Sequence, residues 1–203
     1  PAGQRLLVMA GGVLNNFIFA IIAYIIIMTI WGQAYISNNN SQVYVNDLAY
    51  DMGFRTGDKI LKFDDYKPEN FDMLQADLAR RDVHMATVLR GKDTLNIYID
   101  QSRISDVLNS PSMFDLAVPF VVDSMSAGGK NIGSGLRHGD KVVAFNGQKV
   151  EYVQDSRKVL STMKGTEAEA TVVRGQDTVT VPVSVDTSGR IGAYMEMPGL
   201  QVK

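Results

Sequence analysis

One pattern occurs twice in the sequence, first as Gly53-Phe54-Arg55-Thr56-Gly57-Asp58-Lys59-Ile60-Leu61 and again as Gly135-Leu136-Arg137-His138-Gly139-Asp140-Lys141-Val142-Val143. A second block, Leu89-Arg90-Gly91-Lys92-Asp93-Thr94, returns at nearly the same interval as Val173-Arg174-Gly175-Gln176-Asp177-Thr178. Two matched blocks in one order, at nearly one interval, indicate an internal duplication. The sequence therefore predicts two copies of one small domain.

Each copy is predicted to contain the same elements in the same order. A short apolar strand leads to the Gly-x-x-x-Gly-Asp turn, and an alternating strand, a helix and a strand pair around the Arg-Gly-x-Asp turn follow. We therefore expect two α+β domains, each a small, partly open β-barrel with flanking helices, at residues 37–100 and 117–197. Residues 101–116 are the predicted linker and residues 198–203 a tail.

The amino-terminal stretch 1–36 differs in composition from the rest of the chain. It carries one charged side chain, Arg5, and no charged residue lies between Leu6 and Trp31. As a helix, this uncharged stretch is about 39 Å long, which is enough to cross a hydrocarbon core of about 30 Å with tilt. We expect a transmembrane helix over about 6–31, with a flank to residue 36.

The topology of this helix follows from its flanks. The uncharged stretch is too long, and its start too weakly basic, for a typical signal peptide. Arg5 precedes the helix, whereas residues 33–42 are uncharged, which favours a cytosolic amino end and an extracytoplasmic remainder. The chain begins at Pro1 without methionine, just before the apolar run, and we expect a fragment of a longer protein.

Composition excludes several function classes. The net charge is −2 and the pI about 5.7, so nucleic-acid binding has no electrostatic support. The absence of cysteine excludes disulfides and a cysteine nucleophile. His84 and His138 stand in no two-ligand spacing and accompany no nucleophilic serine motif, and residues 128–135 lack the order of a phosphate loop.

Asn16 is the polar residue that most needs an explanation within the apolar helix. It lies about 15 Å along the helix, near the middle of a membrane, where an amide without a partner is costly. One interpretation is that Gly12 and Asn16, one helical turn apart, permit close packing and a hydrogen bond with a neighbouring helix. The other is a functional role for Asn16, and the residue pattern leaves both open.

An open sheet edge beside a helix is the feature of each copy that can bind a ligand. An extended peptide can add to such an edge as a strand. The alternative is that other parts of the molecule cover both edges, and the sequence does not decide between the two.

Two sets of residues together resemble a known family. The stretch Gln4-Arg5-Leu6-Leu7-Val8-Met9-Ala10-Gly11-Gly12, followed by Asn16-Phe17-Ile18-Phe19-Ala20, is similar to the second conserved membrane segment of the site-2 protease family, in its RseP-like branch. The two Gly-Asp-Lys repeats resemble the tandem PDZ domains that follow it, so the resemblance covers essentially the whole chain. Val13 stands where the family usually has proline.

The resemblance implies a zinc metalloprotease of the bacterial inner membrane that performs regulated intramembrane proteolysis. It also implies transmembrane protein substrates, such as a truncated anti-sigma factor, and contact with further membrane helices of the same protease. In the family an H-E-x-x-H motif and an aspartate from other helices hold zinc, so we expect no metal ligand and no catalysis from this chain alone. Asn16 matches the family asparagine that faces the active site, where its amide can hydrogen-bond the substrate backbone or a developing oxyanion.

By the same resemblance, the PDZ domains lie on the extracytoplasmic side and control which substrates reach the membrane site. They either bind the carboxyl end left by an earlier cleavage or exclude substrates with bulky outer domains. In the first case the predicted peptide-binding residues lie on a strand and the opposite helix of each copy. They are Val43, Tyr44, Val45, Leu74, Leu78, Phe120, Val121, Val122, Val159 and Leu160.

A membrane-anchored periplasmic PDZ scaffold without protease activity is the main alternative. It accounts for the helix and the repeats but gives no reason for Gly12 and Asn16 in mid-membrane. A regulatory pair attached to a serine protease fits less well, because such PDZ domains normally follow a catalytic domain.

Overall fold

A computed structural model of the protein describes residues 2–32, 34–196 and 200–202. The chain divides into two compact units. One unit contains the amino-terminal helix and a short two-stranded ribbon, and the other is Ser37–Gly199. Both copies of the sequence repeat therefore fall within the second unit.

Helix α1 (Ala2–Trp31) contains 30 residues. Its segment Ala10–Ile30 is long and apolar enough to cross a membrane, and none of it is buried within the protein. Gly32 follows the helix at φ 66°, and its N–H donates to Met28 O at 3.1 Å, so a left-handed glycine ends the helix. The predicted span over 6–31 is thus one continuous helix, with a length and composition that membrane spans and signal sequences share.

The first copy folds into two small antiparallel sheets with flanking helices. Its elements are β2 (Val43–Val45), α2 (Asp47–Asp51), β3 (Lys59–Phe63), α3 (Leu74–Arg80), β4 (Met85–Arg90), β5 (Asp93–Tyr98), α4 (Ile104–Asn109) and β6 (Phe114–Leu116). One sheet has the order β3-β4-β5, and the other is the pair β2-β6.

The second copy has the same plan. Its elements are β7 (Val122–Met125), β8 (Lys141–Phe145), β9 (Gln148–Lys149), α5 (Val153–Ser161), β10 (Glu167–Arg174), β11 (Asp177–Ser184) and β12 (Ala193–Met195). One sheet has the order β11-β10-β8-β9, and the other is the pair β12-β7. The strands β8, β10 and β11 correspond to β3, β4 and β5, so the duplication seen in the sequence is also a duplication of structure.

Local sequence signals account for several boundaries. Asn146 and Gly147 have φ values of 47° and 77° and form the hairpin turn between β8 and β9, which only residues tolerant of positive φ can make. Asn70 accepts a hydrogen bond from the Asp72 N–H at 3.0 Å, and a single 3₁₀ turn, Phe71–Met73, precedes α3. Asn70 therefore caps the 3₁₀ turn that leads into α3.

Each copy has its own apolar core beneath its helix. In the first copy Phe54, Phe63, Leu74, Leu78 and Val88 are at most 1% exposed. In the second copy the core cluster consists of Phe120, Val122, Val142, Phe145, Val150, Leu160, Ala168, Ala170, Val172, Val181, Val183, Val185 and Ile191. Many of these residues occupy alternate positions of the strands, as burial on one side of a sheet requires.

The region 101–116, predicted as a linker, lies largely within the first copy. Helix α4 occupies part of it, and Val107 and Met113 are completely buried. Strand β6 pairs with β2 and so completes the sheet of the first copy. So short a strand shortly after Pro111 cannot show a period-2 pattern, and the sequence therefore gives no sign of it.

A ribbon completes the first unit. Strand β1 (Ala34–Ile36) pairs antiparallel with strand β13 (Leu200–Val202). The predicted tail at 198–203 thus contains a strand at its described residues 200–202. Residues 197–199 and 203 lie outside the described part of the chain.

Candidate functional site

The two repeated sequence blocks meet in space in the first copy. Arg90 donates from Nε to Asp58 Oδ1 at 2.7 Å and from Nη2 to Asp58 Oδ2 at 2.8 Å. Nη2 also donates to Gly53 O at 3.0 Å, and the Arg55 N–H donates to Asp58 Oδ2 at 2.8 Å. The Asp58 side chain is 0% exposed. The Gly-Asp and Arg-Gly turns therefore repeat together because each supplies one half of a buried, bidentate ion pair.

The second copy contains the same ion pair. Arg174 donates from Nε and Nη2 to the two carboxylate oxygens of Asp140, both at 2.7 Å, and from Nη2 to Gly135 O at 2.8 Å. The hydrogen bonds from Arg174, aided by the Arg137 N–H, hold the pKa of Asp140 below its ordinary value, although burial acts in the opposite direction. The pairing raises the pKa of Arg174. The Asp140 oxygens are occupied by protein donors, so this carboxylate stabilises the fold and is not free for acid-base chemistry.

The described residues do not fit a zinc site. Among them, no group of three or more His, Cys, Asp or Glu side chains is arranged to hold a metal ion. His84 is exposed, and the side chain of His138 is 71% exposed. The His138 Nδ1 atom lies 2.9 Å from Asp123 O, and its Nε2 lies 3.8 Å from Glu196 Oε1. His138 is therefore a surface residue of the turn, and no catalytic step through zinc is assigned to this chain.

Strand β2, predicted to pair with a peptide in the first copy, has partners on both sides. The Val43 N–H donates to Asp58 O at 2.9 Å, and the Gly57 N–H donates to Val43 O at 2.8 Å. Strand β6 occupies the opposite side. A peptide therefore cannot add to β2 without displacing existing hydrogen bonds, and the outer edge of this pair belongs to β6.

Residues 120–122, predicted as the corresponding strand of the second copy, are enclosed in the same way. The Val142 N–H donates to Phe120 O at 2.8 Å on one side. On the other side, the Glu196 N–H donates to Val121 O at 3.0 Å. The outer edge of this pair belongs to β12.

Strand β12 presents an uncovered edge. It pairs with β7 alone among the described strands. Gly192 O accepts from the Ser126 N–H at 2.7 Å, and Glu196 also bonds on the β7 side. Because successive residues of a strand point their backbone groups to opposite sides, Ala193 and Met195 present their N–H and C=O groups to the outer edge.

The side chains predicted to contact a peptide fall into two groups. Six are core residues that are 4% exposed or less, and four are half-buried. The core residues are Val43, Leu74, Leu78, Phe120, Val122 and Leu160. The half-buried residues are Tyr44, Val45, Val121 and Val159. The six core side chains form the packed interior of each copy, and a peptide-contact role stays a prediction for all ten residues.

Gln75 joins α3 to the segment that follows β5. Its Nε2 donates to Val107 O at 2.7 Å and to Ser110 O at 2.8 Å. Its Oε1 accepts from the Met113 N–H at 2.8 Å. One side chain on α3 therefore holds the end of α4 and the residue immediately before β6.

Helix α5 contacts the first copy as well as its own core. The Tyr44 hydroxyl donates to Asp155 Oδ1 at 2.9 Å and accepts from Lys158 Nζ at 2.9 Å. Gln154 Nε2 donates to Leu116 O, in β6, at 2.7 Å. The hydrogen bond to Tyr44 raises the pKa of Lys158. The helix that lies against the core of the second copy is thus also part of the junction between the copies.

An aromatic contact lies beside these hydrogen bonds. The rings of Tyr44 and Tyr152 meet edge to face with centroids 6.2 Å apart. Tyr152 is buried, and its burial is the main cause that raises its pKa to about 12, so it is neutral at physiological pH. A side chain on Gly57 would approach the Tyr152 hydroxyl to 3.0 Å, and Gly57 has a φ of 92°. Glycine at this position serves both the turn and the contact between the copies.

The glycine-rich loop 128–135 is fixed at one point. Asn131 is 4% exposed, and its Nδ2 donates to Ser184 O and Ile191 O, both at 2.8 Å. Its Oδ1 accepts from the Ser184 N–H at 2.6 Å. The loop therefore braces the connection that leads into β12.

Gly12 and Asn16 lie on the exposed surface of α1. A Cβ atom placed on Gly12 would meet nothing within 4 Å. The Asn16 side chain makes no hydrogen bond with the described residues. Both interpretations of Asn16 require a partner from elsewhere, so its role stays a prediction.

Gln75, Gln154 and Asn131 are site residues that the sequence pattern did not reveal. Each is an amide that bonds backbone groups of a distant segment, and such contacts have no periodic signature. Comparison of the two copies gives one sequence signal for Gln75. Arg157 occupies the repeat position of Gln75, so the two helices differ there although Leu78 and Leu160 match.

Comparison with known proteins gives one partial match. No protein-family model matches the chain. The chain is 32% identical over 81 residues to a protein of Caulobacter vibrioides named metalloprotease MmpA. The aligned stretch covers 40% of this chain and 20% of the relative, so the chain matches about one fifth of the relative's length. The match supports kinship with metalloproteases, and the apolar helix and sheet-rich second unit accord with a membrane-associated member.

Proposed function

We propose that this chain is part of a membrane-embedded metalloprotease of the site-2 protease family. We further propose that residues 37–199 form two PDZ domains that control substrate access outside the cytoplasm. The identity to a named metalloprotease is the observation that carries the proposal. The apolar helix segment Ala10–Ile30 and the duplicated domain plan are consistent with it.

In this proposal α1 positions substrate and does not supply metal ligands. Asn16 carries an amide donor and an amide acceptor on an apolar helix surface. In a medium of low dielectric, a hydrogen bond between this amide and an extended substrate backbone is electrostatically stronger than the same bond in water. Zinc chemistry, in the family pattern, belongs to residues on other helices of the protease.

The second unit acts on the part of the substrate outside the membrane. The uncovered edge of β12 is suited to pairing with an extended peptide, including the carboxyl end left by an earlier cleavage. The alternative mechanism, exclusion of substrates with bulky outer domains, needs no such pairing. Isothermal titration of carboxyl-terminal peptides into the chain separates the two, because only the first mechanism predicts heat of binding.

Substitution of Asn16 tests the role of the helix. In the full-length enzyme, Asn16→Ala is expected to lower cleavage of a transmembrane substrate by roughly tenfold or more, since a transition-state hydrogen bond is lost. The matched control is Asn15→Ala, which changes the same amide one residue earlier on a different helix face. Equal turnover of Asn16→Ala and the unmodified enzyme, at equal folded yield, rejects the assignment.

A further inference from the structure

The two copies differ markedly in the connection that leads to their outer strands. In the first copy residues 99–113 connect β5 to β6. In the second copy residues 185–192 connect β11 to β12, so the connection of the first copy is nearly twice as long. The longer connection contains α4, and Val107 of α4 is completely buried.

The longer connection is held against α3. Both ends of the Gln75 amide bond the longer connection. Nε2 donates to two carbonyls, and Oε1 accepts from the Met113 N–H. Met113 is 0% exposed, and β6 begins at the next residue. The protein's own backbone therefore lies between α3 and the start of β6. Gln75 bonds this backbone through both a donor and an acceptor, as an amide side chain would bond an extended peptide.

The outward carbonyls of β6 are also occupied. On the β2 side the Ala117 N–H bonds Gln42 O, so the alternate residues Phe114 and Leu116 face outward. Leu116 O accepts from Gln154 of α5 at 2.7 Å. Phe114 O accepts from Ser112 Oγ at 3.4 Å. Both outward carbonyls of β6 thus have donors within the same unit.

In the described residues of the second copy, the helix does not hold the connection, which Asn131 of the loop 128–135 braces instead. Arg157, which stands at the repeat position of Gln75, is exposed and forms no hydrogen bond or ion pair there. The Gly189 Cα lies close enough to α5 that an added Cβ would be 3.3 Å from Leu160 O, so the short connection runs past the end of the helix. The outer edge of β12 has no strand partner among the described strands.

We propose that residues 101–113 are a built-in ligand of the first copy, with Gln75 as the residue that holds them, and that the second copy alone is open to an extended peptide. This inference rests on the proposed peptide recognition and assigns it to one copy. Gln75 is a positioning residue, because it acts through the segment that it holds.

Hydrogen–deuterium exchange of the full chain in detergent micelles tests the built-in ligand without any peptide. Gln75→Glu replaces the donor with a carboxylate facing Val107 O and Ser110 O, and exchange over 104–113 is expected to accelerate at least tenfold. Gln75→Arg keeps a donor and is expected to give a smaller increase.

Two controls accompany these variants. Unchanged exchange over β8 and β10 shows that each variant is folded. Asn109→Ala, which removes only a local bond to Ser105 O, is the matched control and is expected to leave exchange over 104–113 nearly unchanged. Protection of 104–113 that both Gln75 variants leave unchanged overturns the proposal.

A peptide selected from a random decapeptide library with free carboxyl ends tests the assignment to one copy. Proline removes an outward N–H without disturbing the inner edge of a strand, so Met195→Pro and Leu116→Pro form a matched pair. One peptide is expected to bind per chain, with loss of binding in Met195→Pro and retention in Leu116→Pro, and Gln75→Glu is expected to add a second site.

The outcomes distinguish the assignment of peptide binding to the second copy from peptide recognition itself. Loss of binding in Leu116→Pro alone overturns the assignment to the second copy. Failure of every library peptide to bind rejects the proposed recognition itself, while the exchange result still decides whether residues 101–113 are held by Gln75.

Discussion

At the residue scale, the repeated glycine, aspartate and arginine positions have a structural explanation. Asp58 and Asp140 are buried, and each is neutralised by an arginine from the other repeated block. A buried carboxylate that loses its cation is strongly destabilising, whereas an exposed pair contributes little. The repeated residues therefore indicate how each domain is stabilised, and they do not indicate the position of a binding or catalytic site.

Arg90→Met is expected to destabilise the first copy by about 3 kcal/mol. The lower end of the usual range applies because the Arg90 side chain is 37% exposed and water relieves part of the loss. Denaturant unfolding followed by circular dichroism measures the effect. The control is Arg103→Met, because Arg103 lies 4.0 Å from the exposed carboxylate of Asp51 and should change stability by less than about 1 kcal/mol. Equal effects of the two substitutions contradict a structural role for the buried pair.

The acid dependence of the second copy follows from Asp140. Its folded-state pKa is lowered below the ordinary aspartate value of about 3.9, so the folded state binds the proton less readily than the unfolded state. The resulting stabilisation is present above about pH 4 and is lost as the pH falls through the lower folded-state pKa. Asp140→Asn is expected to be less stable at pH 7 and to lose less stability between pH 5 and about pH 2. Parallel stability curves for the two proteins in urea titrations contradict this assignment.

At the element scale, α5 is shared between the copies. Ser156 and Leu160 of this helix are buried, and its residues Asp155, Lys158 and Gln154 bond the first copy. Amphipathic spacing in the sequence predicts the buried face. The pattern of the polar residues on α5 is typical of a solvated helix face. The sequence therefore cannot show that these residues form the junction between the two copies.

Tyr44→Phe tests this junction. The substitution removes a hydroxyl that bonds both Asp155 and Lys158, and we expect a loss of about 1 kcal/mol of unfolding free energy. A double-mutant cycle with Lys158→Met should give a coupling energy of about 0.5 kcal/mol or more. Tyr98→Phe is the control, because the Tyr98 side chain is exposed. Additive effects of Tyr44→Phe and Lys158→Met show that the contact contributes no stability.

The elements that could be predicted from the sequence are those with a strong local signal. The Asn146-Gly147 hairpin, the Asn70 cap and the helix over Leu6–Trp31 are examples, since turn chemistry, capping and unbroken apolarity act over short stretches of chain. The short strands Phe114–Leu116 and Ala193–Met195 form through pairing with distant partners and carry no pattern of their own. For that reason the prediction named inner strands, 43–45 and 120–122, as peptide-binding edges, whereas the outer edges belong to β6 and β12.

At the scale of the whole molecule, the proposed membrane span and the polar second unit imply a defined topology. The positive-inside rule, through Arg5, predicts that residues 37–199 lie outside the cytoplasm. The chain contains no cysteine, so a single introduced thiol reports its own location. Ser188→Cys, at an exposed position, is expected to react with a membrane-impermeant maleimide in intact cells, whereas Gln4→Cys is expected to react only after lysis. The opposite labelling pattern contradicts the proposed orientation.

We propose that this chain belongs to a membrane metalloprotease. The most direct test is cleavage of a purified transmembrane substrate by the purified full-length protein in detergent, with a zinc chelator added and zinc then restored. We expect cleavage within the transmembrane segment that the chelator abolishes and zinc restores. Cleavage that is insensitive to the chelator contradicts a metalloprotease. No cleavage by a folded protein that still binds the substrate also contradicts it, and favours a membrane-anchored scaffold.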